Sequence, residues 1–366
     1  MLLHIIGLGL ASSLGTNVKD ACAAHRAGIN RPSEVTHFDI LDESDGTMIK
    51  LMGYPALSLT EGFYLVGRWI RLAHAAVADL LQYAKLNIDE YNYWQKTGVI
   101  VLLPQIDDRY QPEEVPDHTY FLEHYVAKLL KLCQLPISNE HRWIVDKGHS
   151  GTPYALELIP FLMEEQKLER ILVIGADSYL EPSILEWLAF KQRLKTPENA
   201  MGLSPGEAGA CVLIENGNIN TSAATHATIL ACSTHRETDD DFMETKCQGV
   251  ALAQVIVDTI NTSNIKKPFL GDLVTDINGE AWRAKELGSA IVKLGQKQIH
   301  SNVRLSAPTE IFGETGVASG LIAMEVSCRA FIRGYAYDNY TLISSSSENS
   351  EVGCCLLAAP HLSQHY

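Results

Sequence analysis

The chain of 366 residues lacks the features that mark several large classes of protein. It has no apolar run of transmembrane length, and its eight cysteines contain no C-x-x-C pair, so we expect neither a membrane span nor a disulfide framework. Basic residues are few, 29 against 44 acidic ones, and the net charge of −15 disfavours nucleic acid and anionic membrane surfaces as partners. The simplest interpretation is a reduced, cytoplasmic protein.

Cofactor and metal motifs are also missing. Neither G-x-G-x-x-G nor G-x-x-x-x-G-K follows a predicted strand, so we expect no nucleotide cofactor. His226 and His235 are isolated, and His361 and His365 lie on a terminal tail, so no zinc spacing is present. The acidic run 239–241 lacks the glycine and glutamate that complete a calcium loop and is interpreted as a solvated loop. The sequence therefore predicts no metal and no cofactor.

The chain does have enough apolar residues, 46%, to bury a large core. This predicts two domains or one large double domain rather than a disordered chain. The apolar run from Leu2 to Leu14 lacks the basic flank of a signal peptide and leads directly into Gly15. We therefore expect this run to form a strand.

The stretch from Trp143 to Glu215 is the most informative part of the sequence. It contains a short apolar run, a glycine turn at 148–151, and a helical pattern with apolar residues on nearly all sides. Another apolar run over 170–177 and a glycine-rich turn before Ala210 complete a pattern of buried strand, helix and buried strand. Such alternation predicts an α/β fold with parallel strands.

These segments resemble the β-ketoacyl synthase branch of the thiolase superfamily. The carrying sequences are ILVIGADSYL from Ile171, GLSPGEAGACVLIE from Gly202, the opening strand and turn from Ile5 to Gly15, and FGETGVASG from Phe312. The resemblance spans most of the chain. It implies duplicated βαβαβαββ halves packed as a five-layer αβαβα sandwich, with the two helices that follow the glycine elbows buried at its centre.

The two halves of the sequence repeat each other, which supports a duplication. The elbow 148–151 aligns with 313–316, and each is followed by small residues that begin a helix. Turn residues at 216–222 mark the boundary, so we predict an N-terminal half over 1–218 and a C-terminal half over 219–366. The predicted helices and strands are Asn17–Gly28, Gly67–Leu86, Gly98–Leu103, Tyr120–Cys133, His226–Ser233, Cys247–Ile260, Pro268–Asn278, Phe312–Gly334, Tyr340–Ser347 and Val352–Ala359, with irregular structure between Pro32 and Pro55 and an exposed loop over Pro104–Pro116.

The resemblance implies a cysteine nucleophile at the first elbow, and this sequence has none there. The alignment places the cysteine at His149 or at Gly148. Ser150 carries a hydroxyl group at a comparable position beside the start of the helix, but G-H-S-G-T lacks the second glycine of a nucleophile elbow. We therefore expect Ser150 and Thr152 to cap the helix. At the amino end of a buried helix, dipole and desolvation lead us to expect a neutral His149.

The second half lacks the family's two histidines and its lysine. Asn278 stands at the first histidine position, Gly313 is placed at the second, and Pro308 lies near that of the lysine. Asn278 can donate to an oxyanion but cannot shuttle a proton. Glu280 and Glu314, together with Asp276, form either an acid cluster or ion pairs with Arg283, Lys285 and Arg304. The elbow glycines, Gly148, Gly151, Gly313 and Gly316, are candidate substrate-binding positions.

Two functions stay open from the sequence. One is a ketosynthase-like scaffold, accessory or partner subunit that lacks condensing chemistry. The other is an acyltransferase or condensing enzyme that uses Ser150 or His149 with Asn278 as an oxyanion donor. Resemblance implies a dimer, with itself or with a ketosynthase-like protein, through an edge strand within Leu135–Asp146. An acyl carrier protein is a further possible partner, and an effector protein is another, because the turn Asn278–Arg283 resembles thiolase-like accessory proteins encoded near type VI secretion effectors.

Overall fold

The computed structural model describes residues 1–42, 46–106, 117–219, 224–236 and 248–360. Three of the sequence-based expectations lie outside this range: most of the loop before residue 117, the acidic run 239–241, and the two histidines of the tail, His361 and His365. Within the described part of the chain, no helix has both the length and the apolar character needed to cross a bilayer.

Twelve strands are present in the described residues, and ten of them form one mixed sheet. The strands are β1 (Leu3–Ser12), β2 (Ser33–Asp42), β3 (Thr47–Gly53), β4 (Thr97–Leu102), β5 (Arg142–Val145), β6 (Arg170–Ser178), β7 (Glu207–Asn216), β8 (Ala227–Arg236), β9 (Asp272–Thr275), β10 (Arg304–Ser306), β11 (Tyr340–Ser346) and β12 (Glu351–Ala358). Their order in the large sheet is β10-β9-β11-β12-β8-β1-β7-β6-β4-β5, and β2 pairs separately with β3. The expected strand at the N-terminus is confirmed as β1, which lies in the middle of the sheet.

The same strand topology occurs twice in the large sheet. Its two sets of five strands, β1-β7-β6-β4-β5 and β8-β12-β11-β9-β10, each follow the chain order first, fifth, fourth, second, third. In both sets the first three neighbours pair antiparallel and the last three pair parallel. A short antiparallel pairing of β1 with β8 joins the sets. The boundary at 218 to 219 stays a prediction.

Helices cover both faces of each set of strands. They are α1 (Val18–Arg26), α2 (Leu57–Thr60), α3 (Val66–Ala84), α4 (Tyr91–Gln95), α5 (His118–Phe121), α6 (Ala127–Cys133), α7 (Gly151–Glu165), α8 (Pro182–Phe190), α9 (Val250–Ser263), α10 (Ala281–Gln298), α11 (Thr309–Phe312) and α12 (Ser319–Arg333). A π-helical segment, Leu122–Val126, joins α5 to α6, and short 3₁₀ turns occupy Asn139–His141, Gly148–Ser150 and Gly316–Ala318.

Alternating side chains on the strands separate three hydrophobic cores, which gives the five layers. On β6, Ile171 and Val173 face the central core, whereas Leu172 and Ile174 face the core formed with α3 and α6. On β12, Cys355 and Leu357 face the central core and Cys354 and Leu356 face the core formed with α9 and α10. The fold is therefore α/β with α7 and α12 between two sheet layers, as the sequence predicted.

Close approach of α7 and α12 places their amino ends side by side. A Cβ added at Gly320, in the first turn of α12, would lie 2.5 Å from Oγ1 of Thr152 in α7. Only glycine fits this contact, because real Cβ atoms do not approach other heavy atoms so closely. The two elbows that precede these helices consequently meet at the centre of the molecule.

The hairpin β2–β3 corrects one expectation from the sequence. The region from Pro32 to Pro55 was expected to be irregular, but it contains two paired strands that cover α8. The register shifts between Glu34 and Asp39, so the in-out alternation that identifies a strand is interrupted there. This irregularity hid the strand from a pattern of strict period two.

Candidate functional site

Both elbows have the same backbone form. Gly148 (φ 52°) opens the turn before α7, and Gly316 (φ 53°) opens the turn before α12. This left-handed conformation strains other residues, so the glycines are required by the backbone. The two turns pack against each other. Side chains on one elbow therefore contact those on the other.

His149 and Glu314 form a buried pair across the elbows. Nε2 of His149 lies 2.8 Å from Oε1 of Glu314, and the two side chains are 4% and 1% exposed. The backbone N–H of Gly316 donates to the same oxygen at 2.8 Å, and Nδ2 of Asn278 donates to Oε2 at 2.6 Å. Both carboxylate oxygens are thus hydrogen-bonded, which is the condition for burying a charge.

The environment of Glu314 keeps this carboxyl ionised. Burial alone would raise its pKa, but the charge and hydrogen bond of His149 outweigh that effect, with further help from Arg283 and Asn278, and lower the pKa to about 2. Because the carboxylate can only accept hydrogen bonds, His149 must carry a proton on Nε2. The expectation of a neutral His149 stays a prediction, and the partner of its Nε2, Glu314, is 165 residues away in sequence.

Glu314, not Gly313, occupies the place opposite His149. The alignment to the family had placed Gly313 at the second histidine position. In the structure, Gly313 has a φ of 74° and packs on Tyr54, 2.5 Å from where a Cβ would stand. The side chain that converges with His149 and Asn278 belongs to the next residue. Of the residues that the sequence placed at cysteine and histidine positions, His149 and Asn278 are therefore brought together around Glu314, the residue that follows Gly313.

Asn278 connects this pair to a second charged group. Its Nδ2 also donates to Glu280 at 3.0 Å, and its Oδ1 accepts the backbone N–H of Glu280 at 3.1 Å. Glu280 in turn binds Arg193 through two hydrogen bonds of 2.6 and 2.8 Å. Arg193 also binds both oxygens of Glu348, at 2.9 and 3.0 Å. The amide of Asn278 is consequently held in place on both sides.

Arg193 and Glu348 were missed by the sequence analysis. Their contacts span 87 residues to Glu280 and 155 residues to each other, so no local pattern carries the signal. The hydrogen bonds and charges of Glu280 and Glu348 outweigh the desolvation of Arg193 and raise the pKa of its guanidinium. Glu280, Arg193 and Glu348 therefore form a network in which hydrogen bonds hold the charged groups in position.

The acidic residues do form ion pairs, as one of the two interpretations of the sequence proposed, but only some of the pairs involve the expected basic residue. Asp276 pairs with Arg283 at 3.1 Å, as expected. Glu280 pairs with Arg193, and Arg304 pairs with Asp272 at 2.5 Å. The acids therefore serve mainly as partners of cations.

A buried cation, Arg283, lies beneath the site. Its Nη1 donates to the carbonyl of Ser346 at 2.7 Å, while its Nε and Nη2 find no hydrogen-bond partner among the described residues. Burial would lower the pKa of this guanidinium, but Asp276 and then Glu314 and its neighbours raise it. The positive charge of Arg283 helps to keep Glu314 ionised.

Ser150 is committed to structural hydrogen bonds, and the expectation that it caps the helix is wrong. It is fully buried, and its hydroxyl lies 2.9 Å from the carbonyl of Glu351 and 3.3 Å from that of Ser345. Its N–H donates to Oγ of Ser347 at 2.9 Å. Within the described chain neither Ser150 nor Thr152 makes a capping bond, and Oγ1 of Thr152 has no partner there. Ser150 instead ties the elbow to the turn between β11 and β12.

The elbow glycines are packed against protein atoms. A Cβ added at Gly148 would meet Oγ of Ser347 at 3.4 Å, and one added at Gly151 would meet Leu102 at 3.6 Å. At Gly316 it would lie 1.8 Å from Oδ2 of Asp177. Internal packing therefore excludes a side chain at Gly316 but not at Gly148 or Gly151, and substrate binding at these glycines stays a prediction.

Comparison with known proteins places the fold. No protein-family model and no curated protein matches the chain. Solved structures do match it over 98% of its length. The ishigamide ketosynthase/chain length factor has a TM-score of 0.70 at 17% identity, with 99% of that chain covered. The oxazolomycin ketosynthase domain from Streptomyces albus has a TM-score of 0.76 at 14% identity, with 74% covered. The chain has the thiolase-like fold of ketosynthases.

A third match is a type II polyketide synthase acyl-carrier protein in complex with its ketosynthase bound to the hexaketide, with a TM-score of 0.74, 12% identity and 99% of that chain covered. In this thiolase-like fold, α7 and α12 are the helices whose amino ends meet at the elbows. Here that meeting point contains an imidazole, a carboxylate and an amide. No described cysteine lies on either elbow. The arrangement can hold charge and hydrogen bonds, but it offers no thiol.

Proposed function

We propose that this protein is a non-catalytic, ketosynthase-like partner subunit that works in the cytoplasm beside an active ketosynthase. The observation that carries the proposal is the buried pair of His149 and Glu314. His149 stands where the resemblance implies a nucleophile, and its pairing with Glu314 leaves both carboxylate oxygens occupied.

The chemistry of condensation supports the same conclusion. Removing members of a cooperating nucleophile and base unit typically lowers the rate by a factor on the order of 10⁴ to 10⁶. Here Asn278 and Gly313 stand where the resemblance implies the two histidines. The hydroxyl of Ser150 faces two backbone carbonyls and is fully buried, so it is not presented to a thioester. An acyltransferase that used this site would need a residue able to act as a base and a serine hydroxyl accessible to the thioester.

The proposed partner follows from the fold neighbours and from one edge of the sheet. One neighbour is a ketosynthase/chain length factor, and another is a carrier protein in complex with its ketosynthase. In this chain β5 ends the sheet, and the adjoining helix α7 exposes Leu158 and Phe161, at 42% and 62%. An exposed edge strand beside apolar side chains favours pairing with a second chain. The partner is a catalytic ketosynthase-like chain or a second copy, and an acyl carrier protein docks on the assembly.

Intact mass spectrometry tests the absence of catalysis. The protein would be incubated with acyl- and malonyl-loaded carrier protein and with the corresponding coenzyme A thioesters. We expect no stable adduct and no condensed product, because the elbow has no thiol and its serine is fully bonded. His149→Ala and Ser150→Ala provide the matched variants.

An acyl adduct that maps to Ser150 would contradict the proposal. So would condensation by the wild type that each of the two variants abolishes. A separate experiment mixes the protein with an active ketosynthase and measures complex formation by size-exclusion chromatography with light scattering. A lack of both a mixed complex and a homodimer would remove the partner role while leaving the chemical conclusion intact.

A further inference from the structure

A cavity of about 530 Å³ lies at the opposite end of α12 from the elbows. It is an open cavity between α1 and the carboxyl end of α12, and its lining includes four basic side chains, those of Lys19, Arg26, Arg329 and Arg333. Since α12 spans 15 residues, this cavity is roughly 22 Å from the elbow end of the helix. It is therefore separate from the candidate site.

The four cations lack acidic partners. Among the described residues, no carboxylate lies within ion-pair distance of any of them, although every buried arginine near the elbows has one. Nε of Arg329 is buried and has no hydrogen-bond partner in the described chain. In a chain of net charge −15, four unpaired cations around one cavity are a local concentration of positive charge.

Aromatic rings contact three of the four cations. Nζ of Lys19 lies 5.4 Å from the centre of the Tyr83 ring, and Cζ of Arg329 lies 5.9 Å from the same ring. Nη1 of Arg329 also lies 3.1 Å from the Tyr83 hydroxyl. On the other side, Cζ of Arg26 stacks 4.2 Å from the ring of Tyr335. The rings fix the positions of the charges without neutralising them.

A structural role at the helix ends explains part of this arrangement. Arg26 and Arg333 lie in the last turns of α1 and α12, where cations complement the helix dipole. The dipole does not account for Lys19, which lies near the start of α1, nor for the volume of the cavity that the four side chains share. Like charges gathered without counterions repel one another, and a bound anion removes that repulsion.

We infer that this cavity binds a small molecule through a phosphate or pyrophosphate group. Guanidinium groups donate paired hydrogen bonds to phosphate oxygens, and the cavity offers three of them with one lysine. A second cavity of about 210 Å³ adjoins the first, because both are lined by Arg26 and Tyr335. The remainder of a phosphate-bearing molecule can extend there, beside Val274 and Ala330.

Calorimetric titration of the full chain with sodium pyrophosphate at low ionic strength tests this inference, and inorganic phosphate serves as the smaller probe. We expect wild-type binding of pyrophosphate with a Kd of roughly 0.1 to 1 mM. The double variant Arg26→Gln/Arg333→Gln removes two exposed guanidinium groups, so binding should weaken about tenfold or more. A control, Lys128→Gln/Lys131→Gln, removes the same charge from the exposed face of α6.

The control must keep wild-type affinity for the inference to hold. Equal weakening in both double variants would mean a general charge effect, and no binding of either probe to the wild type would overturn the site. If phosphate and pyrophosphate bind with equal affinity, the site takes a single phosphate group. Tighter pyrophosphate binding instead supports a diphosphate-bearing ligand.

Discussion

At the scale of single residues, the central feature is an imidazole and a carboxylate, those of His149 and Glu314, buried together between the two elbows. The pair is stable because Glu314 receives three hydrogen bonds and loses its proton, and because His149 supplies one of them. Breaking such a pair leaves an uncompensated buried group, which destabilises a fold more strongly than the intact pair stabilises it. His149 and Glu314 therefore act on stability as well as on the shape of the site.

Replacing His149 by cysteine tests the nature of the elbow. The cysteine would stand at the amino end of α7, where the helix dipole favours a thiolate. We expect His149→Cys to gain alkylation by iodoacetamide, measured by peptide mass mapping, but no carbon-carbon condensation, because the amide of Asn278 cannot shuttle a proton. Ser150→Cys is the control, since the side chain at position 150 faces two backbone carbonyls and should stay unmodified. Condensation by His149→Cys would show that the remaining residues suffice as bases.

Glu314 predicts a specific dependence of stability on pH. Its pKa is lowered to about 2 in the folded state, so the stabilisation is present above the unfolded pKa and is lost as pH falls from about 5 toward 2. The difference in unfolding free energy between wild type and Glu314→Gln should shrink by about 3 kcal/mol over that range, measured by urea unfolding. Glu310→Gln, an exposed neighbour, should show no such change. A constant difference for Glu314→Gln would refute the assignment.

At the scale of elements, the buried helix α12 carries a carboxyl group, that of Glu325, whose pKa is raised whereas that of Glu314 is lowered. Glu325 is fully buried, and its Oε1 accepts the backbone N–H of Gly9 in β1 at 3.1 Å. Its Oε2 has no hydrogen-bond partner within the described residues. Burial raises the pKa of this carboxyl well above its ordinary value, and Asp79 adds to the effect. The contact between α12 and β1 therefore buries a carboxyl group whose ionisation is disfavoured.

Glutamine at position 325 should stabilise the protein increasingly as pH rises. In the unfolded chain Glu325 ionises above about pH 4.3, whereas its raised pKa in the folded state delays ionisation to higher pH, so wild-type stability falls as pH rises above about 4.3. We expect Glu325→Gln to gain on the wild type over this rise by at most about 1.4 kcal/mol for each pH unit, measured by urea unfolding. A gain that does not change with pH would mean that Glu325 is ionised in the folded state.

At the scale of the whole molecule, the repeated strand topology leaves β5 and β10 as the two edges of the large sheet. The β5 edge is accompanied by exposed apolar side chains on α7. It lies within the segment Leu135–Asp146 from which the sequence predicted pairing. A dimer through this edge would continue the sheet and cover those side chains.

Light scattering at micromolar concentration tests the dimer. We expect a dimer for the wild type, alone or with a ketosynthase-like partner, and dissociation for Phe161→Glu, because a charge would be buried at the pairing surface. Phe190→Glu is the matched control: Phe190 is 82% exposed at the end of α8 and lies away from β5, so it should leave the dimer unchanged. A wild-type monomer with no partner recovered by affinity capture would refute the prediction.

Much of the fold follows from local sequence. Apolar runs bounded by glycine, such as 171–174, predict buried strands, because a strand covered on both faces needs apolar residues at every position. The elbow glycines are also predictable from local sequence, because glycine adopts the left-handed backbone conformation of such a turn without strain. The β2–β3 hairpin was not predictable, because its register shift removes the simple alternation.

The sequence by itself determined that the elbow 148–151 has no cysteine. It also offered His149, Ser150, Asn278 and Glu314 as candidate site residues. Only the tertiary structure decided what these residues do to one another. The hydrogen-bond partners of these residues lie 36 to 201 residues away in sequence, as in the contacts of Asn278 with Glu314 and of Ser150 with Glu351. Such contacts, and the desolvation that sets the pKa of Glu314, arise only when α7 and α12 bring their amino ends together.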